Sequence, residues 1–416
     1  MNILFFEDNF VEKLSPLSLL RPVYYIKCGI FSPKDNAVNY WGKKAKFFFH
    51  TRPLLTSLSE ETHGKNNFTM EGECLLLNGR VYFNNKLFKK LTSNKIRDFI
   101  LVSGETVIAA KFTLGIPANL KDIFVNSTLS FSDFLQTKYE IINANDILSK
   151  DENFLVFENP WDYIKYFDEI FPEDINHYKK NFNEKIKTRK EIAITGKDKV
   201  FISPKAVLHP AIVLDASEGE IILDDYAVIE PFTYIKGPIY AGKYSLIKSH
   251  SKIYGPVSIG EYSKVSGEIG HTIFHSYANK QHDGYIGHSY VCPFVNLGAD
   301  TVTSNLKNNY SKITVQNGTE RAKTNMQFLG SLIGDHTKIG INTMLNTGTI
   351  IGIFSNIAGG GFPDKYVPSF SWYIVGMKLK KYNLEECLTT ARTVMHRRNI
   401  EITPAYENLV RELYKI

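Results

Sequence analysis

The sequence predicts two fold classes in one chain: an α/β domain, then an all-β parallel β-helix followed by C-terminal helices. In the second half, aliphatic residues recur at every sixth position, as at Ile333, Ile339, Leu345, Ile351 and Ile357. A helix has a period of 3.6 residues and an ordinary strand a period of 2, so neither repeats one residue type every six positions, but a hexapeptide-repeat β-helix does. The first half instead shows short apolar runs between polar stretches, which is the pattern of buried strands.

Length and composition fit a protein of at least two globular domains. The 416 residues exceed one ordinary core, and the net charge of +6 comes without a basic stripe, so no nucleic-acid partner is expected. No apolar run reaches membrane-spanning length, and the acidic start MNILFFEDNF does not resemble a signal peptide. The four cysteines are far apart and lack zinc-site spacing, which predicts free thiols, no metal site and a cytoplasmic location.

The pattern divides the chain into three predicted regions. Residues 1-190 form the α/β domain, with NILFF, ECLLLNG and DFILV as expected strands and KKNFNEKIKTRKE as a helix or linker at its end. Residues 200-370 form the β-helix, interrupted near 267–284 and between Asn305 and Leu329, where we expect projecting loops. Residues 371-416 carry a helical stripe and a second short helix, TPAYENLVRELYKI. The inward positions of the β-helix are predicted as Val207, Val213, Ile222, Val228, Ile247, Ile253, Ile259 and Val265, and the helical stripe as Leu384, Leu388, Ala391 and Met395.

The stretch HDGYIGHSYVCPFVNLGADTVTSNLKNN is the richest in motifs. It contains H-x-x-Y-I-G from His282, N-L-G-A from Asn296, and then Asn305. These motifs resemble the acetyltransferase domain of the bifunctional N-acetylglucosamine-1-phosphate uridyltransferase/glucosamine-1-phosphate N-acetyltransferase family. The resemblance implies a left-handed β-helix, a homotrimer, and acetyl-CoA as co-substrate.

The chemistry of acetyl transfer suits these residue types. An amine must lose its proton before it can attack, and an imidazole with a pKa of roughly 6.5 accepts protons near neutral pH, so His282 is the predicted general base. The resemblance implies that Tyr285 and Asn296 contact the sugar phosphate and that Lys248 pairs with its phosphate. It also implies that Asn305 lies near the acetyl group. Gly298 and Ala299 would let the pantetheine arm approach the backbone.

Each of these residues also fits a structural role. Asn296 is equally suited to an asparagine ladder inside the coil, and Gly298 and Ala299 to corner geometry. Lys248 is a surface lysine unless a neighbouring subunit places it over the site. His271, His275 and His288 lie close to His282 in the sequence and receive no predicted role.

The start of the chain resembles a second family, the sugar-phosphate nucleotidyltransferases, whose fold is Rossmann-like (GT-A-like). The segment from Lys13 through Arg21 to Val23 keeps the spacing of that family's R-L-x-P-L-T-x-x-x-P-K motif. However, Val23 replaces its phosphate-binding lysine, and Arg80, in LLLNGRV, replaces its magnesium-binding aspartate. The preceding loop EDNFVE lacks the glycines that let backbone N–H groups surround a triphosphate. Lys13 and Arg21 remain candidate nucleotide-binding residues, and Mg²⁺ is expected only if this domain is active.

The sequence therefore predicts a homotrimeric, acetyl-CoA-dependent N-acetyltransferase acting on an amino-sugar phosphate or nucleotide sugar. Its first domain would be a degenerate or divergent nucleotidyltransferase. One alternative is a sugar-1-phosphate nucleotidyltransferase whose β-helix serves assembly or regulation, which Arg80 and Val23 argue against. The other is a non-catalytic trimeric scaffold that binds sugar nucleotides, which His282 in its motif argues against.

Overall fold

The computed structural model describes residues 1–65, 68, 70–93, 98–149, 152–182, 191–318 and 320–416. The part of the predicted linker at 183–190 lies outside the described residues. The chain forms two compact units. The first comprises Met1–Lys27, Phe31–Asn159 and Thr403–Ile416, and the second comprises Cys28–Ile30 and Pro160–Ile402. Over the described ranges no helix is long and apolar enough to cross a membrane. All four cysteines are buried free thiols.

A six-stranded mixed sheet forms the centre of the first unit, which confirms the predicted α/β class. Thr106–Phe112 runs antiparallel to both of its neighbours, and the other pairs are parallel. Because side chains alternate along a strand, Phe5 and Leu77 pack on one face of the sheet and Leu4 and Leu76 on the other. The spatial order is Lys46–Phe49, Asn2–Phe6, Cys74–Asn78, Thr106–Phe112, Phe99–Ser103 and Ile141–Asn143.

Short helices and a small ribbon complete the first unit. The ribbon pairs Val81–Phe83 with Phe154–Val156. The C-terminal helix Pro404–Lys415 also belongs to this unit, where the Ala405 amide donates to the Glu61 side chain at 3.1 Å. The other helices are Pro33–Trp41, Thr56–His63, Asn85–Leu91, Ala118–Asn126, Phe131–Leu135 and Ala144–Ile147.

The second unit is a parallel β-helix with three faces, as the six-residue pattern predicts. Equivalent residues of successive coils are typically 18 positions apart, so that Ile221 pairs with Ile239, which pairs with Val257. The first face consists of Val200–Ile202, Ile221–Leu223, Ile239–Ala241, the ends of Lys252–Ile259 and Glu268–Phe274, then Tyr290–Val291, Ser331–Ile333, Thr349–Ile351 and Tyr366–Val367. The second consists of Val207–Leu208, Val228–Ile229, Leu246–Ile247, Lys264–Val265, Asn279–Lys280, Asn296–Leu297, Lys338–Ile339, Asn356–Ala358, Ser371–Ile374 and Lys380–Lys381. The third consists of Ile192–Thr195, Ile212–Asp215, Tyr234–Lys236, the starts of Lys252–Ile259 and Glu268–Phe274, then Tyr285–Gly287, Val302–Thr303 and Met344–Leu345.

Helices flank the β-helix in the sequence. Asp162–Lys165 and Phe167–Tyr178 precede it, and Leu384–His396 follows it. The predicted helical stripe is confirmed, because Leu388, Ala391 and Met395 are buried.

Most of the predicted inward positions are confirmed, but the first coil is out of register. Ile247, Ile259, Ile333 and Ile357 are fully buried. Val207 and Val213 instead remain 48% and 38% exposed, and Val228, which pairs with Val207, is only half-buried. Ile212, Leu214 and Ile229 occupy the interior in this region, because neighbouring residues of a strand point to opposite faces and a shift of one residue exchanges them.

One of the two predicted interruptions is wrong. Between 267 and 284 the coil continues through Glu268–Phe274 and Asn279–Lys280, which pair in parallel with the coils before and after. The second interruption is confirmed. Between Asn305 and Leu329 the chain leaves the coil and forms an antiparallel hairpin of Thr314–Asn317 and Glu320–Lys323.

A column of eight stacked rings runs along the corner between the first and second faces. Neighbouring ring centroids are 4.5–5.4 Å apart. Each of these residues has a positive φ, between 52° and 61°, a conformation that side chains other than glycine rarely adopt. Stacking therefore offsets a backbone cost that the corner imposes. The residues are Tyr226, Tyr244, Tyr262, Tyr277, Phe294, His336, Phe354 and Phe370.

The close stacking of coils predicts a strong glycine requirement at Gly260. A Cβ added there would lie 1.9 Å from the His275 carbonyl oxygen, which belongs to the backbone of the next coil. We expect Gly260→Ala to lower the free energy of unfolding by about 1–3 kcal/mol, the usual cost of overpacking. Urea denaturation followed by circular dichroism measures this. Gly270→Ala is the control, since its nearest atom would be 3.7 Å away; equal midpoints for the two variants would contradict the packing argument.

Candidate functional site

A buried lysine, Lys280, stabilises the backbone of the turn that carries His282. The His282 side chain is exposed. Lys280 Nζ donates to the carbonyl oxygens of Ser266 at 3.2 Å, His282 at 2.8 Å and Asp283 at 3.1 Å. Burial lowers the pKa of Lys280 to about 8. All three ammonium protons thus stabilise the backbone beside His282, a role that sequence reasoning missed. The signal was a lysine at an otherwise inward-facing strand position.

Asn305 links Tyr285 to a histidine with no predicted role. Its Nδ2 lies 2.8 Å from Tyr285 Oη and 2.8 Å from His288 Nδ1. An amide nitrogen only donates, so His288 Nδ1 accepts and its hydrogen sits on Nε2. Burial, and secondly the nearby His271, lower the pKa of His288 to about 3, so its ring is neutral at physiological pH. The structure therefore brings together two predicted site residues and adds His288, which directly follows the Y-I-G step.

Aromatic rings form one wall around His288. Its ring stacks on His271 at 4.2 Å between centroids and on Phe328 at 5.0 Å. His271 Nε2 lies 3.8 Å from Asp168 Oδ2. Phe328 is 40% exposed and lies at the end of the inserted segment. The Tyr285–Asn305–His288 cluster thus has a packed side and a side open to solvent.

The other predicted substrate residues lie on the second face rather than the third. Asn296 accepts a hydrogen bond from Asn279 Nδ2 at 2.6 Å, and the two residues pair in register, so an asparagine ladder is present. Lys248 is half-buried. Burial, followed by the charges of Arg398, Arg397 and Lys248, lowers the pKa of Lys264, which places Lys248 within a basic group. Within the described part of a single chain, these residues belong to a different face from Tyr285.

Gly298 and Ala299 form a corner of the coil. A Cβ on Gly298 would lie 2.7 Å from the Gly340 carbonyl carbon and 2.7 Å from the Ile341 nitrogen. The Ala299 carbonyl accepts from the Asn342 amide at 2.9 Å. Close packing between coils explains the glycine, and Ala299 remains partly exposed beside it.

In the first unit, buried ion pairs involve Arg80 and the EDNFVE loop, the two segments in which the sequence departs from metal- and nucleotide-binding motifs. Asp8 accepts from Arg80 Nε at 2.7 Å and from Arg80 Nη2 at 2.5 Å. Asn78 Nδ2 donates to Asp8 Oδ2 at 2.8 Å, and Arg80 Nη1 donates to the Phe157 carbonyl at 2.9 Å. Arg80 is 1% exposed. Both Asp8 oxygens are therefore engaged by cationic or amide donors.

The adjacent carboxylate is paired in the same way. Glu7 is fully buried, and its Oε1 accepts from Arg52 Nη1 at 2.7 Å and from the Val23 amide at 2.8 Å. Its Oε2 accepts from the Arg52 amide at 2.8 Å. Val23, which replaces the family's phosphate-binding lysine, thus contributes its backbone to holding Glu7.

These residues do not fit a Mg²⁺ site. Mg²⁺ needs oxygen ligands with near-octahedral access, and the Arg80 guanidinium takes up both oxygens of Asp8. No group of three or more His, Cys, Asp or Glu side chains in the described ranges is arranged to hold a metal. The two candidate nucleotide-binding cations, Lys13 and Arg21, follow Glu7 and Asp8 in the sequence. Lys13 is exposed, and its Nζ lies 4.8 Å from the Phe10 ring centroid. Arg21 Nη1 donates to the Leu17 carbonyl at 2.9 Å.

Removing Arg80 should destabilise the first unit strongly. Arg80→Met leaves Asp8 charged and buried without its main partner, so we expect the free energy of unfolding to fall by about 3–5 kcal/mol. Urea denaturation followed by the fluorescence of Trp41, a buried residue of this unit, measures the change in a background in which Trp161 and Trp372 are replaced by phenylalanine. The matched control is the double variant Asp8→Asn with Arg80→Met, which removes both charges and should recover part of the loss. A double variant less stable than Arg80→Met would contradict this account.

Comparison with known sequences finds matches to part of the chain. Residues 3–182 match the family model described as sugar nucleotidyl transferase. A bifunctional sugar-1-phosphate nucleotidylyltransferase/acetyltransferase from Sulfurisphaera tokodaii is 30% identical over 152 residues, which cover 36% of this chain. The chain spans 38% of the length of that curated relative.

Solved structures that resemble part of the chain include two transferases. A hexapeptide transferase family protein from Anaplasma phagocytophilum is 15% identical, with a TM-score of 0.20, over 54% of this chain and 99% of its own. An Arabidopsis UDP-N-acetylglucosamine acyltransferase is 11% identical, with a TM-score of 0.23, over 55% of this chain and 89% of its own. Scores this low do not bear on activity.

Proposed function

We propose, for a chain whose residues 3–182 match the family model described as sugar nucleotidyl transferase, that the β-helix is an acetyl-CoA-dependent N-acetyltransferase. Its substrate is an amino-sugar phosphate or a nucleotide sugar that carries an amine. The observation that carries this proposal is the Asn305 amide, which bridges Tyr285 and a neutral His288. That cluster begins three residues after His282, in the motif region where acyl transfer is expected.

In the proposed reaction, His282 takes one proton from the substrate amine as the amine attacks the acetyl carbonyl of acetyl-CoA. A C–N bond forms, the C–S bond breaks, and the proton passes from His282 to the departing CoA sulfur. The Asn305 amide lies near the acetyl group. Tyr285 and Asn296 contact the sugar phosphate, and Lys248 pairs with its phosphate group, a role that suits a lysine as a point charge. Gly298 and Ala299 border the pantetheine arm.

A homotrimer accounts for the separation of these residues within one chain. Asn296 belongs to the second face, the Lys248 strand precedes it there, and Tyr285 belongs to the third face. In the proposed trimer, the second face of one subunit would meet the third face of its neighbour. The site is therefore proposed to form between subunits, within the region 200-370.

The role of His282 is tested by His282→Ala. We expect kcat for acetyl transfer to glucosamine 1-phosphate to fall by about 10²- to 10⁴-fold, the usual contribution of a general base. His209→Ala, which removes another exposed histidine of the β-helix, is the control and should keep its activity. Light scattering should report a trimer for all three proteins. Wild-type kcat in His282→Ala would remove this role, and a monomer at micromolar concentration would remove the intersubunit site.

The first unit is proposed to have lost Mg²⁺-dependent nucleotidyl transfer. The two buried ion pairs, Asp8–Arg80 and Glu7–Arg52, support this proposal, because they neutralise the carboxylates that a metal would need. Because residues 3–182 match the sugar nucleotidyl transferase model, we propose that this unit still binds a sugar nucleotide. Lys13 and Arg21 are the candidate contacts.

A pyrophosphate-release assay tests this loss. With Mg²⁺, UTP or dTTP, and a panel of sugar 1-phosphates, we expect turnover far below about 1 s⁻¹, the lower end of ordinary enzyme rates. Acetyl transfer by the same preparation shows that the protein is folded. Turnover near or above that rate would show that the domain is active by a different arrangement of ligands.

A further inference from the structure

The hairpin inserted after Asn305 forms a cavity with three cationic side chains. The cavity measures about 260 Å³ and is lined by Lys307, Arg321 and Lys365, together with Thr314, Val315 and Gln316. No acidic side chain of the described residues lines it, and none of the three cations forms an ion pair with a carboxylate there. Uncompensated cations around one concave space favour an anionic ligand.

The cavity is built on a packed support. Ile313 and Val315 are buried, and Thr324 Oγ1 donates to the Ile313 carbonyl at 2.8 Å. A Cβ on Gly348 would lie 2.8 Å from the Ile313 side chain, so the absence of a side chain on Gly348 lets the hairpin pack against the coil. The hairpin is therefore anchored, which holds Arg321 close to Lys307 and Lys365.

The lysines are themselves oriented. Lys307 Nζ donates to the Lys312 carbonyl at 2.9 Å, and Lys365 Nζ lies 3.4 Å from Thr347 Oγ1. Both lysines are half-buried, and Arg321 is exposed at the rim. Lys307 and Lys365 line the same cavity. Burial, and secondly the charge of Lys307, lower the pKa of Lys365. A bound anion would offset these two positive charges.

We propose that this cavity binds the phosphate groups of a nucleotide, and specifically a diphosphate. Its volume is smaller than the roughly 300–1,000 Å³ of pockets that enclose a whole ligand, so it suits a charged group and not an entire nucleotide. An arginine fork binds phosphate oxygens in pairs, and two lysines add point charges. The diphosphate comes either from CoA or from a nucleotide sugar. This site is separate from the proton transfer assigned to His282.

Calorimetric titration at fixed ionic strength tests the site, with pyrophosphate, CoA and dTDP as separate probes. We expect saturable binding of pyrophosphate to the wild-type protein. Arg321→Gln and Lys365→Gln should each weaken that binding roughly tenfold or more, since each removes a charge-assisted contact. Lys312→Gln is the matched control, because it removes an exposed cation of the same segment that does not line the cavity. Circular dichroism verifies that each variant is folded.

The same variants identify the source of the diphosphate. Weakening of CoA binding alone assigns the site to the co-substrate, and weakening of dTDP binding alone assigns it to a nucleotide sugar. The proposal is overturned if pyrophosphate does not bind at millimolar concentration, or if Arg321→Gln and Lys312→Gln bind it equally. His282→Ala should bind pyrophosphate as the wild type does. If Arg321→Gln binds pyrophosphate as tightly as the wild type, this site is refuted. If His282→Ala has lost acetyl transfer in the same experiments, the acetyltransferase assignment still stands.

Discussion

The stacking of inward aliphatic side chains from one coil to the next is the constraint on which the second unit depends. Ile229 pairs with Ile247, which pairs with Val265, and all three are fully buried. Backbone bonds follow the same spacing, as when the Gly242 amide donates to the Ile259 carbonyl at 2.8 Å. A coil that broke this spacing would lose both apolar burial and backbone hydrogen bonds. Inward positions are therefore restricted, and chemistry is confined to outward positions and corners.

The turns between the faces are less restricted by this stacking, and His282 and the segment inserted after Asn305 lie in such turns. At one corner, three carbonyl oxygens surround the buried Lys280 ammonium and the turn places His282 in solvent. At another, the chain departs after Asn305, forms a hairpin, and returns beside Phe328. A β-helix can accept such an excursion because the coils before and after it still pair directly, as Tyr290 does with Leu332. The inserted segment thus adds polar groups without weakening the interior.

The first unit illustrates a different relation between fold and site. Its sheet and both apolar faces are intact, yet two arginines occupy the space beside Glu7 and Asp8. A buried carboxylate is costly unless it is paired. In a metal-dependent site the metal supplies the compensating charge, and here Arg52 and Arg80 supply it. This unit therefore contains two buried carboxylates whose charges are balanced by arginine side chains.

The sequence by itself determined the repeat architecture, three of the six strands of the first sheet, both C-terminal helices and the segment in which Tyr285 and Asn305 meet. Periodicity reports which side chains face an interior, because burial repeats at the spacing of the backbone. It placed Val207 and Val213 inward by mistake, since a one-residue shift keeps the same period.

Only the tertiary structure decided which distant residues meet. The pairs Asp8–Arg80 and Glu7–Arg52 and the contact of His288 with Asn305 join residues that are distant in sequence. No local pattern encodes such contacts, because they depend on how strands and coils are placed beside one another in space. The cations of the hairpin cavity likewise meet only in the folded chain. Arg321 and Lys365 line one cavity because Ile313 and Val315 pack beside Gly348.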